Sequence, residues 1–234
     1  MGTKYHCPIC NRSYREFYSA GFDFPVLTEL DVVGGGFREG VRCPGCNSGD
    51  RERLFFLYLQ NELKVGTKNL RILHVAPEVA VQKFLKSCKN ITHESVDLDS
   101  PRADKKMDVQ SLTYDSDTFD IVICNHVLEH IIDDGRAMRE LHRVLKKGGT
   151  AILQVPISLK LTETFEDPSV QSEHDRERVF GQSDHVRIYA GDYKDRLEKS
   201  GFSVLVIPYA QLLGDACTKK YALNPKENLY ICTK

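Results

Sequence analysis

Four cysteines fall in two pairs, Cys7-Pro8-Ile9-Cys10 and Cys43-Pro44-Gly45-Cys46, with 32 residues between the pairs. Thiolates three residues apart in a tight turn can share one ion, and two such turns complete a tetrahedron. Cys7, Cys10, Cys43 and Cys46 are therefore expected to ligate a metal. Zinc is the expected ion, although iron in a rubredoxin-like site uses the same four thiolates. A redox role would put the CxxC at a helix start after a strand in a βαβ unit, and nothing around Cys46 has that pattern. Four sulfurs close the coordination sphere and leave no position for water, so the ion is expected to be structural. Cys88, Cys124, Cys217 and Cys232 fall in predicted strands and helices and read as small buried hydrophobes.

A second group of residues could bind a nucleotide-like ligand. In an open parallel sheet, ligands sit beyond the carboxyl ends of the central strands. Three stretches reach such positions: His74-Val75-Ala76-Pro77-Glu78, Val96-Asp97-Leu98-Asp99, and Met107-Asp108-Val109 together with Asn125-His126. A carboxylate about 20 residues past the first turn is well placed to accept both ribose hydroxyls, and Asp97 stands there. His126, His130 and His185 are the candidate proton carriers. His130 falls in the helix after a strand, where packing or capping is expected. His126 is nearer the strand end. His185 lies in Asp184-His185-Val186-Arg187, a long connection of the kind that carries substrate loops. Arg187 and Tyr189 either contact an acidic or polar substrate or brace that loop, and His174 and Arg176 have the same two readings.

The elements that would position these groups follow from periodicity. Arg51 to Leu63 reads as a helix, with Leu54, Phe55, Tyr58 and Leu59 on one face. From Leu70 strands and helices alternate: strands at 71–76, 91–98, 119–124, 150–155, 202–208 and 228–232, helices at 78–88, 133–146 and 192–200. The run Phe119 to Cys124 is wholly apolar, as in a central strand covered on both faces. Asp133 and Asp134 open the middle helix and Lys146-Lys147-Gly148-Gly149 is expected to close it. This alternation predicts a doubly wound α/β sheet. The expected division is a ribbon over 1–50, a helix and connector over 51–69, and a sheet domain over 70–234.

Composition narrows the choice of partners. The 234 residues hold 32 Lys plus Arg and 33 Asp plus Glu, a net charge of −1, so no global field draws the chain to nucleic acid or an anionic membrane. The first 53 residues carry seven basic and seven acidic side chains, a poor footprint for phosphate contacts. No segment nears the roughly 18 continuous apolar residues of a membrane span, and the N-terminus lacks signal-peptide shape. A cytoplasmic location, with reduced thiols, is the expectation.

The stretch FDIVICNHVLEHIIDDGRAMRELHRVLKKGGTAILQVP, Phe119 to Pro156, resembles class I S-adenosylmethionine-dependent methyltransferases of the type-11 group. Members carry a similar strand, a Leu-(Glu/His)-His step, a helix, a Lys-(Pro/Lys)-Gly-Gly turn and a strand. The stretch SEHDRERVFGQSDHVRIYAGDYKDRLEKSGF resembles members with an N-terminal zinc ribbon. The resemblance implies a Rossmann-like sheet and S-adenosylmethionine as cofactor. It assigns Asp97 to the ribose, Asp108 to the adenine amino group with Val109 beside the ring, and Asn125 and His126 to the methionine portion. The first turn, His74, Ala76 and Glu78, would surround the methionine end. There the chain departs from the family, which has an acidic residue followed by alternating glycines. His74, Ala76, Glu78 and Ala80 stand in those places, so the loop is expected to sit farther from the ligand, with Glu78 free to meet the methionine ammonium.

The activity this implies is methyl transfer to an oxygen or nitrogen of a small polar metabolite, with the zinc ribbon structural or acting as a lid. His126 and His185 are the catalytic candidates, and Arg187 and Tyr189 the substrate contacts. An RNA-modifying methyltransferase that grips RNA with its ribbon is the alternative, and the balanced charge and absent Asn-Pro-Pro-aromatic motif stand against it. A non-catalytic interaction protein with a decayed cofactor pocket is the third reading. The methyl acceptor and the oligomeric state are left open.

Overall fold

The computed structural model describes residues 3–234. Seven strands form the central sheet: β1 (Leu70–Val75), β2 (Ile91–Asp97), β3 (Lys105–Lys106), β4 (Phe119–Asn125), β5 (Leu145–Gln154), β6 (Ser203–Ile207) and β7 (Leu229–Thr233). Their spatial order is 3-2-1-4-5-7-6. Strands β1 to β5 pair in parallel, and β7 runs antiparallel to both neighbours. Chain order reverses between β1 and β4, which opens the ligand crevice at their carboxyl ends.

Strand β4 shows why the sheet is covered on both faces. Its side chains alternate, so Ile121 and Ile123 join Ile72, Ile152 and Ile231 on one side, while Val122 and Cys124 join Leu73, Val75 and Leu153 on the other. The first face is covered by α1 (Asp50–Asn61) and α2 (Val79–Ser87), which contribute Leu54 to Leu59 and Val81 and Leu85. The second is covered by α3 (Asp134–Val144) and, after α4 (Glu173–Phe180), by α5 (Tyr193–Lys199). Burying one such aliphatic side chain is worth about 1.5–3 kcal/mol, so neither face could stay bare.

Helix α3 starts as expected, with Asp133 accepting a hydrogen bond from the Arg136 N–H at 2.9 Å. It stops two residues short of the expected Lys146. Leu145 turns extended and pairs with Phe119, and Lys146 to Gly149 form an irregularity within β5 rather than a helix cap. Cys124 and Cys232 are fully buried as expected, whereas Cys88 and Cys217 are only half-buried. The two-residue strand β3 had no sequence signal.

The N-terminal region is built from short pieces. Tyr5–Cys7 pairs with Arg12–Tyr14, and Tyr18–Ala20 with Arg38–Arg42. Val32–Val33 pairs antiparallel with Ile157–Ser158, which ties this region to the segment after β5. Among the described residues no helix is long and apolar enough to cross a membrane.

Candidate active site

The four ribbon cysteines converge. Cys7 and Cys46 sulfurs lie 3.5 Å apart and Cys10 and Cys43 sulfurs 3.8 Å, and all four fall within 4.8 Å of one another. Tetrahedral zinc with bonds of about 2.3 Å separates its sulfurs by about 3.8 Å, so the cluster suits that ion. The residue after each pair, Asn11 and Asn47, has positive φ (53° and 63°), which closes the two turns. The Ser48 hydroxyl approaches Cys46 at 3.1 Å and Cys7 at 3.4 Å, steadying the thiolates from outside.

At the carboxyl ends of β1, β2 and β4 lies a cavity of about 610 Å³, lined by Ala76, Asp97, Asp108, Val109 and His126 among others. Asp97 spends Oδ1 on the N–H groups of Asp99 and Ser100, at 2.9 and 2.8 Å, which anchors its carboxylate at the strand end. Asp108 likewise accepts from the Gln110 N–H at 2.8 Å. Apolar walls from Met107, Val109, Val127 and Ile131 face these carboxylates. Carboxylates for a diol and an exocyclic amine, with apolar walls for a flat ring, fit an adenosine.

The first turn keeps the geometry of a glycine turn without the glycine. Ala76 has φ of 46°, a left-handed conformation that costs an alanine about 1–2 kcal/mol. Three residues expected around the cofactor, His74, Glu78 and Asn125, are not in the lining of this cavity and bond to one another. His74 is fully buried, its Nε2 2.5 Å from Glu78 Oε2, and Asn125 Nδ2 donates to Glu78 Oε1 at 3.1 Å. A buried imidazole in the place of the family's acid needs a partner, and Glu78 supplies it. Burial works against the Glu78 charge, but the His74 charge and hydrogen bond outweigh it and hold the carboxyl below its usual range. Glu78 is thus committed to His74 and Asn125 rather than free for an ammonium group.

A second cavity, of about 540 Å³, opens between the ribbon and the sheet. Gly34 to Gly36 and Arg51 form its ribbon side, and His126, Glu129, His130 and His185 its sheet side. His126 and His130 line both cavities, so they stand on the wall between them. Gly34 has φ of 83°, and a Cβ there would meet the His126 ring at 3.2 Å, so the close approach of ribbon to histidine requires glycine.

His126 itself has φ of 55°, with its N–H bonded to the Gln154 carbonyl at 2.7 Å. Arg51 Nη1 lies 3.1 Å from His126 Nδ1, nearer than the Glu129 Oε1 at 3.4 Å. A guanidinium can only donate, so Nδ1 is the acceptor and Nε2 carries the hydrogen. Burial, then the Arg51 charge, pushes the His126 imidazole down to about 4. The ring is therefore held neutral near pH 7, with Nε2 as its donor. Its Nε2 is buried without a partner among the described residues. Burial also pushes His185 down.

Arg187 and Tyr189 both brace the loop, and Arg187 also lines the cleft. Arg187 gives Nε to Glu166 at 3.0 Å and its other donors to the Leu128, Ile131 and Ile132 carbonyls. Tyr189 is fully buried, its hydroxyl donating to Asp134 at 2.6 Å. Arg187–Ile188 pairs only with the two-residue strand Phe165–Glu166, so this network adds to a short ladder in fixing the loop. Sequence reasoning passed over Arg51 and Glu129. Arg51 entered only as the start of a helix, and only the Leu-Glu-His step pointed toward Glu129.

The fold is an open, mostly parallel α/β sheet with carboxylates at its strand ends, and comparison with known proteins places it. Residues 73–153 match the family model described as a methyltransferase domain, and the seven-stranded sheet has the class I methyltransferase fold, preceded by a four-cysteine module. The crystal structure of the [4+2]-cyclase SpnF is similar over 92% of this chain and 97% of that one, at 18% identity and TM-score 0.53. An S-adenosylmethionine-dependent methyltransferase from Archaeoglobus fulgidus is similar over 80% of this chain and 95% of that one, at 14% identity and TM-score 0.50. These likenesses establish the fold alone, and a cyclase among them shows that the fold does not choose the reaction. No curated protein matches the chain in sequence.

Proposed function

We propose that the chain transfers a methyl group from S-adenosylmethionine to an oxygen or nitrogen of a small polar metabolite held in the cleft between ribbon and sheet. The single observation that carries this is the wall shared by the two cavities, where His126 and His130 face both. S-adenosylmethionine would supply an already activated methyl, so the chain needs chiefly to align an acceptor with it. Asp97 would hold the ribose, Asp108 and Val109 the adenine, and Ala76 the methionine end. His126, donating from Nε2, would orient the acceptor atom. Residues 1–50 would act as a zinc-held lid, 51–69 as its connector and 70–234 as the catalytic domain.

A cleft of about 540 Å³ suits a metabolite. Its flanking ribbon has no excess of basic side chains with which to grip RNA. The test is transfer of isotopically labelled methyl from S-adenosylmethionine into a cell extract split into small molecules and RNA. Label in the small-molecule fraction is expected. Label confined to RNA, or none in either, would overturn the proposal.

A further inference from the structure

We propose that Glu129, His130 and His185 form a second metal site, which holds a divalent transition-metal ion at the wall of the cleft and presents it to an oxygen-donor ligand. One donor atom from each residue lies within 4.8 Å of the others, and His130 Nε2 is 4.0 Å from Glu129 Oε1. An ion at about 2.0–2.2 Å from each donor would draw the three together by roughly an ångström.

Two further observations point to a ligand. Glu129 is 2% exposed, and its Oε2 has no hydrogen-bond partner among the described residues. A carboxylate oxygen buried without a partner carries a desolvation cost that a cation would offset. His130 Nδ1 lies 3.1 Å from Asp184 Oδ2. That carboxylate fixes the Nδ1–H outward and leaves the Nε2 lone pair facing Glu129, the arrangement that orients metal-bound histidines. The His130 and His185 rings stand edge to face at 4.7 Å between centroids, so both reach one point without clashing.

Two imidazoles and one carboxylate are a donor set for zinc, iron, manganese or cobalt that leaves coordination positions open. All three residues line the cleft, so the open positions face its interior. The four-cysteine site offers no such opening. An acceptor with a hydroxyl or carboxylate oxygen could complete the coordination, and the ion would ease loss of the hydroxyl proton. That last role rests on the methyltransferase reading; metal binding itself does not.

The test is titration of the purified full chain with Co²⁺ alone, read by bound equivalents and by visible spectra. Two equivalents per chain are expected. One should show thiolate charge-transfer bands from the four cysteines, and one only the weaker bands of nitrogen and oxygen ligands. Glu129→Gln and His185→Gln should each weaken the second equivalent at least 10-fold and leave the thiolate bands in place. X-ray absorption of the zinc-loaded wild type needs no variant and should show a mixed sulfur and nitrogen/oxygen shell. A single equivalent in the wild type, a pure sulfur shell, or a second equivalent retained in both variants would overturn the site. S-adenosylhomocysteine binding, measured on the same samples, reports the methyltransferase reading separately.

Discussion

The cluster around the ribbon's cysteines buries only Cys7, Phe17 and Cys43, and Leu27 and Val32 pack instead on Phe180 and Ile188, while the sheet buries a continuous layer on each face. The ribbon's strands run two to five residues, and β4 and β5 run seven and ten. A core that small cannot offset the chain entropy of ordering 40 or so residues, at about 1–2 kcal/mol each. The sheet has a packed core to order it, whereas the ribbon is expected to depend on an ion held by its four cysteines. The cleft belongs to both, so its acceptor side should depend on metal while its cofactor side does not.

Removing zinc should break this contrast most visibly. Structural zinc contributes about 10 kcal/mol or more of folding free energy. Chelation, or Cys43→Ser, is expected to abolish hydrogen-exchange protection over residues 5–20 and 38–48 and to leave β4 and β5 protected. The cofactor cavity is lined by no ribbon residue, so S-adenosylhomocysteine should still bind. Loss of protection throughout the sheet would contradict the separation.

A change within the sheet domain should do the reverse. Asp134 accepts from Tyr189 at 2.6 Å and Arg196 at 2.8 Å, and lies 3.9 Å from the buried Arg187. Asp134→Ala strands those partners and should cost about 3–5 kcal/mol, seen as a Tm about 10 °C lower. The thiolate bands of the cobalt-loaded ribbon should not move.

The seam between the regions should respond to pH. Glu227 lies beneath Gly34, and burial, then the Asp50 charge, pushes its carboxyl up from 4.5 to about 7. The folded state therefore holds a proton that the unfolded chain has released. Stability should be highest below pH 4.5 with respect to this group and fall as pH rises to about 7. The loss is up to about 3 kcal/mol at about 1.4 kcal/mol per pH unit. Denaturant unfolding of Glu227→Gln across that range should show a flatter profile than wild type; an unchanged slope would remove Glu227 from the seam. The smallest effect falls on the ligand. Asp97→Ala should weaken S-adenosylhomocysteine about 10–100-fold by calorimetry, with little change in Tm.

Much of the sheet was legible because β4 and the Ala151–Leu153 part of β5 are apolar runs whose burial on both faces leaves a plain signature. Asp97 and Asp108 could be located by counting from those strands. His74 and Glu78 could not be read correctly, because their pairing depends on a side chain turned inward. Arg51 and Glu129 were hidden for a related reason: each becomes part of the cleft only when ribbon and sheet meet. The ribbon's own strands are too short for periodicity, and only its cysteine spacing spoke for it. Arg187 and Tyr189 were left with two readings because a polar pair in a loop looks the same in sequence whether it faces a substrate or a buried aspartate.

The central claim is that the cavity above β1, β2 and β4 holds S-adenosylmethionine although its first turn lacks glycine. Calorimetric titration of the metal-loaded chain with S-adenosylmethionine and S-adenosylhomocysteine tests it most directly. One equivalent of each should bind, with the affinity lowered by Asp97→Ala and unaltered by chelation of the ribbon metal. A metal-loaded, folded chain that takes up neither ligand would contradict the account.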